Sequence, residues 1–288
     1  MTHLRSLLSL LIIVLLGATG ALAAPALWIV SDKDTQIHIF GTLHVLEKNA
    51  AWQTPLVEAA FTSADALVVE LDGNQIERAG PLFAAAGTLP EGGTLRGNIG
   101  NGIYNDVVRL SRRLEVPEGA FDQARPWFAG MSLAVIGLVK AGFDPTSGVD
   151  KYFIAAAEYR QIPVLGIETA EMQAALFAGL TPAQEKALLV DTLQQSQNVK
   201  AHFLNLQNAW LDGDMDRLDQ LMNASMAAAP GLAERILYAR NRDWAFKTSA
   251  LMGKPGRFFM AVGAAHLAGT QSLIALLEEA GLRAVRLE

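Results

Sequence analysis

One short pattern occurs twice in this chain, near opposite ends: Gly41-Thr42-Leu43-His44 and Gly263-Ala264-Ala265-His266. Each Gly-x-x-His follows an apolar, strand-like run, Ile37-His38-Ile39-Phe40 in the first case and Phe258-Phe259-Met260-Ala261-Val262 in the second. A third such run, Ala66-Leu67-Val68-Val69, ends in Glu70. In an open α/β sheet, residues just past the carboxyl ends of parallel strands meet on one edge, where ligands bind. Two imidazoles and a carboxylate gathered there suit a divalent-metal site or a general acid–base site.

The 288 residues are 51% hydrophobic and 18% charged, enough to bury a full core and unlike a disordered chain. The first residues stand apart from that core. Arg5 supplies a positive start, Leu7 to Leu16 is almost continuously apolar, and Ala21-Leu22-Ala23 gives an A-x-A cleavage pattern before Pro25. Residues 1–23 therefore read as a secretory signal peptide, and the mature chain as one domain, 24–288, exported to the periplasm or beyond. The alternative is an uncleaved anchor, but the apolar run falls short of the ~20 residues a membrane span needs. The net charge of −6, more negative still once Arg5 is removed, argues against nucleic acid as a partner. No later segment reads as a span; Phe128 to Val139 reads as a buried helix. With no cysteine, disulfides, Cys-ligated metals and a Cys nucleophile are all excluded.

The pattern along the chain predicts an α/β fold. Units of strand and helix at both ends form one central sheet, and the middle region is mainly helical. Leu27–Val30 and Gln36–Phe40 read as a hairpin, Pro55 to Ser63 as a helix and Ala66 to Leu71 as a strand, giving a right-handed βαβ unit. Helices follow at 75–86, 104–114, 126–141 and 149–160, with a Gly-heavy loop over Thr88 to Gly102 and a short strand over 162–167. A helical lobe is expected over about 182–250, divided into three helices at Gly213 and Pro230-Gly231. Thr181-Pro182 with Glu185 starts it without a strict capping box. A strand over 257–262, a helix over 271–280 and a last strand over 283–287 complete the chain.

Four histidines lie beyond the leader: His38, His44, His202 and His266. Only His44 and His266 share the Gly-x-x-His context; His38 lies within a strand and His202 has no matching context. Glu70, at the end of a buried strand, must be solvated, paired or ligated. It is expected to complete a metal shell or to take a proton from a bound water. Glu168 follows Leu165-Gly166-Ile167 in a similar position, although an acid near a helix cap at Thr169 explains it equally well. Asp150 near a helix start reads as a cap or a secondary site residue. Arg242, within Arg240-Asn241-Arg242-Asp243-Trp244, is either an ordinary surface arginine or an oxyanion clamp. Gly92-Gly93 lacks the Lys-Ser/Thr of a phosphate loop, and neither G-x-S-x-G nor H-E-x-x-H occurs.

These stretches, with Val69-Glu70-Leu71-Asp72, Gly148-Val149-Asp150, Gly166-Ile167-Glu168-Thr169 and Val262 to Gly269, resemble the TraB/PrgY/GumN family, which includes the TIKI proteins. The resemblance implies an α/β fold carrying both Gly-x-x-His motifs. It also implies, from the TIKI proteins, divalent-metal-dependent proteolysis. Carried over by motif, His44, Glu70 and His266 would be the metal site, with Mn²⁺, Co²⁺ or Zn²⁺ as the cation. Asp150, Glu168 and Arg242 would be secondary. The expectation is thus an exported metal-dependent hydrolase acting on a peptide or small-molecule substrate. The alternatives are an exported protein that binds a metal, haem or small ligand without turnover, and an interaction protein that sequesters a peptide.

Overall fold

The computed structural model describes residues 24–47, 49–223, 226 and 229–287. The expected leader, residues 1–23, lies outside the described residues. The mixed α/β architecture matches the sequence reading, with strands near both ends and helices between them. Strands β1 (Leu27–Ser31) and β2 (Thr35–Thr42) form the expected antiparallel hairpin. Helix α1 (Pro55–Ser63) is capped by Thr54, whose hydroxyl accepts from Val57 N–H, and starts on a proline whose missing N–H costs nothing there. It leads to β3 (Ala66–Val69). Helices α2 (Gly73–Ala86), α3 (Leu95–Arg113), α4 (Pro126–Lys140) and α5 (Val149–Tyr159) then precede the short β4 (Val164–Gly166). Helices α6 (Ala170–Ala178), α7 (Pro182–Gln195), α8 (Val199–Leu211), α9 (Met215–Leu218) and α10 (Ala239–Leu251) follow. The chain closes with β5 (Gly256–Gly263), α11 (Leu273–Glu279) and β6 (Ala284–Leu287).

The six strands lie in the order β4-β3-β5-β2-β1-β6. β5 runs parallel to both β2 and β3 and separates them, with Ile37 opposite Phe258 on one side and Ala66 opposite Phe258 on the other. The expected βαβ unit of β2, α1 and β3 is therefore split by a strand from the far end of the sequence. Local pattern could not reveal this, because a continuous apolar run suits any central position in a parallel sheet. The consequence for function is direct: β4, β3, β5 and β2 all end on one edge.

Both faces of the sheet are covered. One carries Phe40, Phe61, Phe153, Trp210 and Phe259, from the sheet, α1, α5 and α8. The other carries Trp28, Ile37, Ile39, Val68 and Met260 against Trp244 of α10 and Leu273 and Leu277 of α11. The alternation of β2 explains the division, since Ile37 and Ile39 point to one face and Phe40 to the other.

Four expectations need correction. The stretch 182–250 is not one lobe: α8 covers one face of the sheet, α10 the other, and Leu189 of α7 packs with Leu95, Ile99, Val107, Leu110 and Leu133 of α3 and α4. The Gly-heavy stretch up to Gly102 is not all loop, because α3 begins at Leu95, capped by Thr94, and kinks where Gly100 takes a φ of 79°. The start of α7 is a full capping box, with Thr181 bonding Gln184 N–H and the Gln184 side chain returning to Thr181 N–H. Helix α4 buries Trp127, Ala129 and Leu133 but exposes Val135 and Val139, so it is buried on one side only. Among the described residues no helix is long and apolar enough to cross a membrane.

Phe40 is fully buried and its ring meets those of Trp52, Phe153, Trp210 and Phe259. The substitution Phe40→Ala is expected to cost about 3–5 kcal/mol, read from the urea midpoint at constant m-value; a loss under about 1 kcal/mol would contradict this packing.

Candidate functional site

The strand order sets out four chemistry-bearing residues along one edge: Glu168 after β4, Glu70 after β3, His266 after β5 and His44 after β2. The glycines of the two motifs serve close approach rather than unusual backbone angles. A Cβ on Gly41 would meet Ala264 Cα at 3.2 Å, and one on Gly263 would meet Glu70 Oε1 at 3.0 Å. Gly41 C=O accepts from Trp210 Nε1 at 2.9 Å, and Gly263 N–H donates to Glu70 Oε1 at 2.8 Å.

The centre of the edge is held by Arg240, one residue into α10. Its Nε donates to Glu168 Oε1 and its Nη2 to Glu168 Oε2, both at 2.7 Å. Nη2 also reaches Glu70 Oε2 at 2.7 Å, and Nη1 lies 3.0 Å from His266 Nε2. The guanidinium can only donate, so His266 Nε2 is the acceptor and the ring is neutral, with its proton on Nδ1. That nitrogen faces Asn241 Oδ1 at 2.5 Å, while Asn241 Nδ2 donates to Gln271 C=O. Gln173 Nε2 bonds both carboxylates, and Trp244 Nε1 donates to Glu168 Oε1 at 3.0 Å. The His266 ring packs on that of Trp244 with centroids 4.0 Å apart.

Burial would raise the Glu70 pKa, but the charges of Arg240 and His44 and the Gly263 N–H hold it below the usual carboxylate range. With His266 neutral, the cation that keeps Glu70 ionised is Arg240. Burial, then Arg240 and His44, push His266 down to about 3 against the pull of Glu70.

His44 stands at the other end of the edge. Its Nδ1 lies 3.2 Å from Asp150 Oδ1, and its side chain is 64% exposed. Desolvation works against its proton, but the contact and charge of Asp150, with Glu70 behind them, outweigh it and raise the pKa. Solvent at the ring screens this pair. Asp150 arrives there because α5 is pinned at its start, where Val149 N–H donates to Leu43 C=O at 3.0 Å. Thr42, His44, Glu70, Asp150 and Gln173 line a cavity of about 80 Å³. Thr42 Oγ1 is buried there without a hydrogen-bond partner among the described residues.

The structure thus brings His44, Glu70, Asp150, Glu168 and His266 to one edge, with Glu168 far more deeply engaged than its sequence context suggested. Arg242 is not with them: it is exposed and paired with Glu234. Two helical residues lie ~200° apart around the axis, so Arg240 and Arg242 cannot share a face. The signal was available, because Arg240 sits one turn before Trp244, on the side that also buries Thr248. Arg240, Asn241, Gln173 and Trp244 are the site residues that the sequence reading missed. The expected metal set of His44, Glu70 and His266 does not fit a cation in this arrangement, since Arg240 already uses Glu70 Oε2 and His266 Nε2. Among the described residues no group of three or more His, Asp or Glu is placed to hold a metal ion.

The TraB/PrgY/gumN family model matches residues 26–286, and the chain belongs to that family. It is also 26% identical over 253 residues to the uncharacterized protein YbaP of Escherichia coli strain K12, covering 88% of this chain and 92% of that protein. The uncharacterized protein YbaP of Shigella flexneri matches to the same extent. No solved structure matches.

Acid sensitivity follows from the buried rings. His266 and His38 both have folded pKa values below the ordinary 6.5, so the unfolded chain binds more protons below that value. Their contribution is fully present above 6.5 and drains as pH falls toward the folded values. The urea midpoint is expected to fall steadily from about pH 7 to about pH 4, and less steeply in His38→Leu. A midpoint that stays flat over that range would refute the neutral-ring assignment.

Proposed function

We propose that this member of the TraB/PrgY/gumN family is an exported hydrolase that acts on peptides, with its active site in the cavity between His44 and Glu70. The observation that carries this reading is the placing of an exposed, carboxylate-paired imidazole and an ionised carboxylate around one small cavity, whose other walls include Val69, Leu71 and Ile76. The cavity of about 80 Å³ has room for roughly two waters, and Thr42 Oγ1 and Glu70 are polar partners for one of them. Water is the nucleophile. Its oxygen adds to the acyl carbon, its proton passes to Glu70, and His44 gives a proton to the leaving amine. Asp150 keeps His44 protonated and oriented, and therefore sets the alkaline limit of the reaction. A carboxylate held below its usual range is a weak base, so the rate depends on how firmly Arg240 holds Glu70.

The same cavity volume weighs against a resident haem or other large ligand, which needs about 300–1,000 Å³. A peptide chain has no such requirement, because only its scissile bond must enter while the rest lies across the open side by His44. Export rests on the leader-like sequence of residues 1–23.

The test is cleavage of a fluorogenic peptide library by the leaderless protein. His44→Ala is expected to lower kcat/KM about 100-fold or more with the fold intact by circular dichroism. Asp150→Asn is expected to shift the alkaline limb of the pH–rate profile downward by about one unit or more, because it removes the charge that raises His44. Full activity in folded His44→Ala, or no cleavage of any peptide by the wild type, would overturn the proposal.

A further inference from the structure

On one side the sheet ends at β4, whose neighbour among the described strands is β3. Pro163 C=O accepts from Leu67 N–H, and Ile167 N–H donates to Val69 C=O, so the odd-numbered residues of this segment turn their backbone toward β3. By alternation Val164 and Gly166 turn their N–H and C=O groups outward, and among the described residues no hydrogen bond takes them up. An edge of this kind is a template for a further strand. The side chains define which strand fits. Trp28, Ile39, Met260, Val68 and Leu165 are successive partners in register, one from each strand, and form a row across one face of the sheet. The first four are buried on the α10 side, whereas Leu165 is 40% exposed, because the row stops there. Over Leu165 lies a cavity of about 260 Å³ between β4 and α10, walled by Val68, Leu165, Ile167, Phe246, Ala250 and Leu251. Phe246 is 75% exposed beside it.

We propose that the outer edge of β4 and the groove beside α10 are a docking site for an extended, acidic peptide segment of a partner protein. The segment adds a strand to the sheet and continues the cross-sheet row with one apolar side chain, set against Leu165 and Phe246. Main-chain bonds to Val164 and Gly166 hold it, and the side-chain groove selects it. With so short an edge, main-chain pairing is a weak hold by itself, and affinity depends on the apolar anchor and on charge. Lysines stand at both ends of the groove. Lys247, at the carboxyl end of β4, is already satisfied by Ile167 C=O and Asp243. Lys254, just before β5 at the other end, has no carboxylate partner among the described residues. An Asp or Glu flanking the apolar residue of the segment supplies that partner. None of the residues of the groove lines the cavity at His44, so docking here is independent of the hydrolytic reading.

The test is selection of a display library of random eight-residue peptides on the leaderless protein, followed by fluorescence anisotropy with the enriched peptides. These are expected to combine an apolar residue with a nearby Asp or Glu. Val164→Pro removes an outward N–H and leaves the bonds to β3 in place, so it is expected to weaken binding about 10-fold with an unchanged thermal melt. Phe246→Ala is expected to weaken it about 10-fold as well, through lost apolar contact. Lys254→Glu is expected to weaken it about 5-fold and to recover when the acid of the peptide is replaced by lysine. His44→Ala is expected to bind as the wild type does, which separates docking from turnover. Should Val164→Pro not fold, Phe246→Ala and Lys254→Glu decide the matter, because both change exposed side chains. The absence of any enriched peptide, undiminished binding by folded Val164→Pro or by Phe246→Ala, indifference to Lys254→Glu, or loss of binding in His44→Ala would overturn the proposal. So would a wild-type dimer in sedimentation that Phe246→Ala dissociates, since the edge would then belong to a second copy of this chain.

Discussion

A single guanidinium ties together the part of this molecule that matters for chemistry. Arg240 reaches from α10 to the ends of β3 and β4 and to the turn after β5, and it neutralises two carboxylates that burial would otherwise make untenable. A buried charge network of this kind adds little net stability over an apolar core, because desolvation consumes most of the Coulomb gain. What it supplies is definition: every carboxylate oxygen of Glu70 and Glu168 accepts from a fixed donor, and Arg240 and Gln173 each bond both carboxylates, so the strand ends are held together in one arrangement. Gln173 and Trp244 complete the accounting on the Glu168 side and Gly263 on the Glu70 side.

The sheet makes that network possible. β5 inserts between β2 and β3, so the second Gly-x-x-His motif arrives between the first motif and Glu70. The two motifs then divide the labour instead of sharing one ligand position. His266 is buried, neutral and packed on Trp244, while His44 is exposed, paired with Asp150 and held toward protonation. Identical short patterns thus carry opposite electrostatics, because a ring's titration depends on what surrounds it and not on its sequence neighbours.

Two different environments meet at Glu70. On one side lies a small cavity that Glu70 shares with the exposed His44–Asp150 pair; on the other, a cage of donors closed by an arginine.

Much of this was legible in the chain itself. The α/β class, most strand and helix positions, and the gathering of His44, Glu70 and His266 at strand ends followed from apolar runs, Gly and Pro punctuation and the rule that parallel strands end on one edge. These are local or nearly local properties, and 3.6- and two-residue periods record them in sequence. Even Arg240 could have been preferred to Arg242 by following the buried face of α10 back one turn from Trp244. Tertiary structure alone decided that β5 separates β2 from β3, that residues 182–250 divide between the two faces of the sheet, and that a guanidinium fills the space between two carboxylates and a histidine. Each of those outcomes depends on which distant segments pack side by side, and burial, charge pairing and proton affinity exist only once that packing has been made.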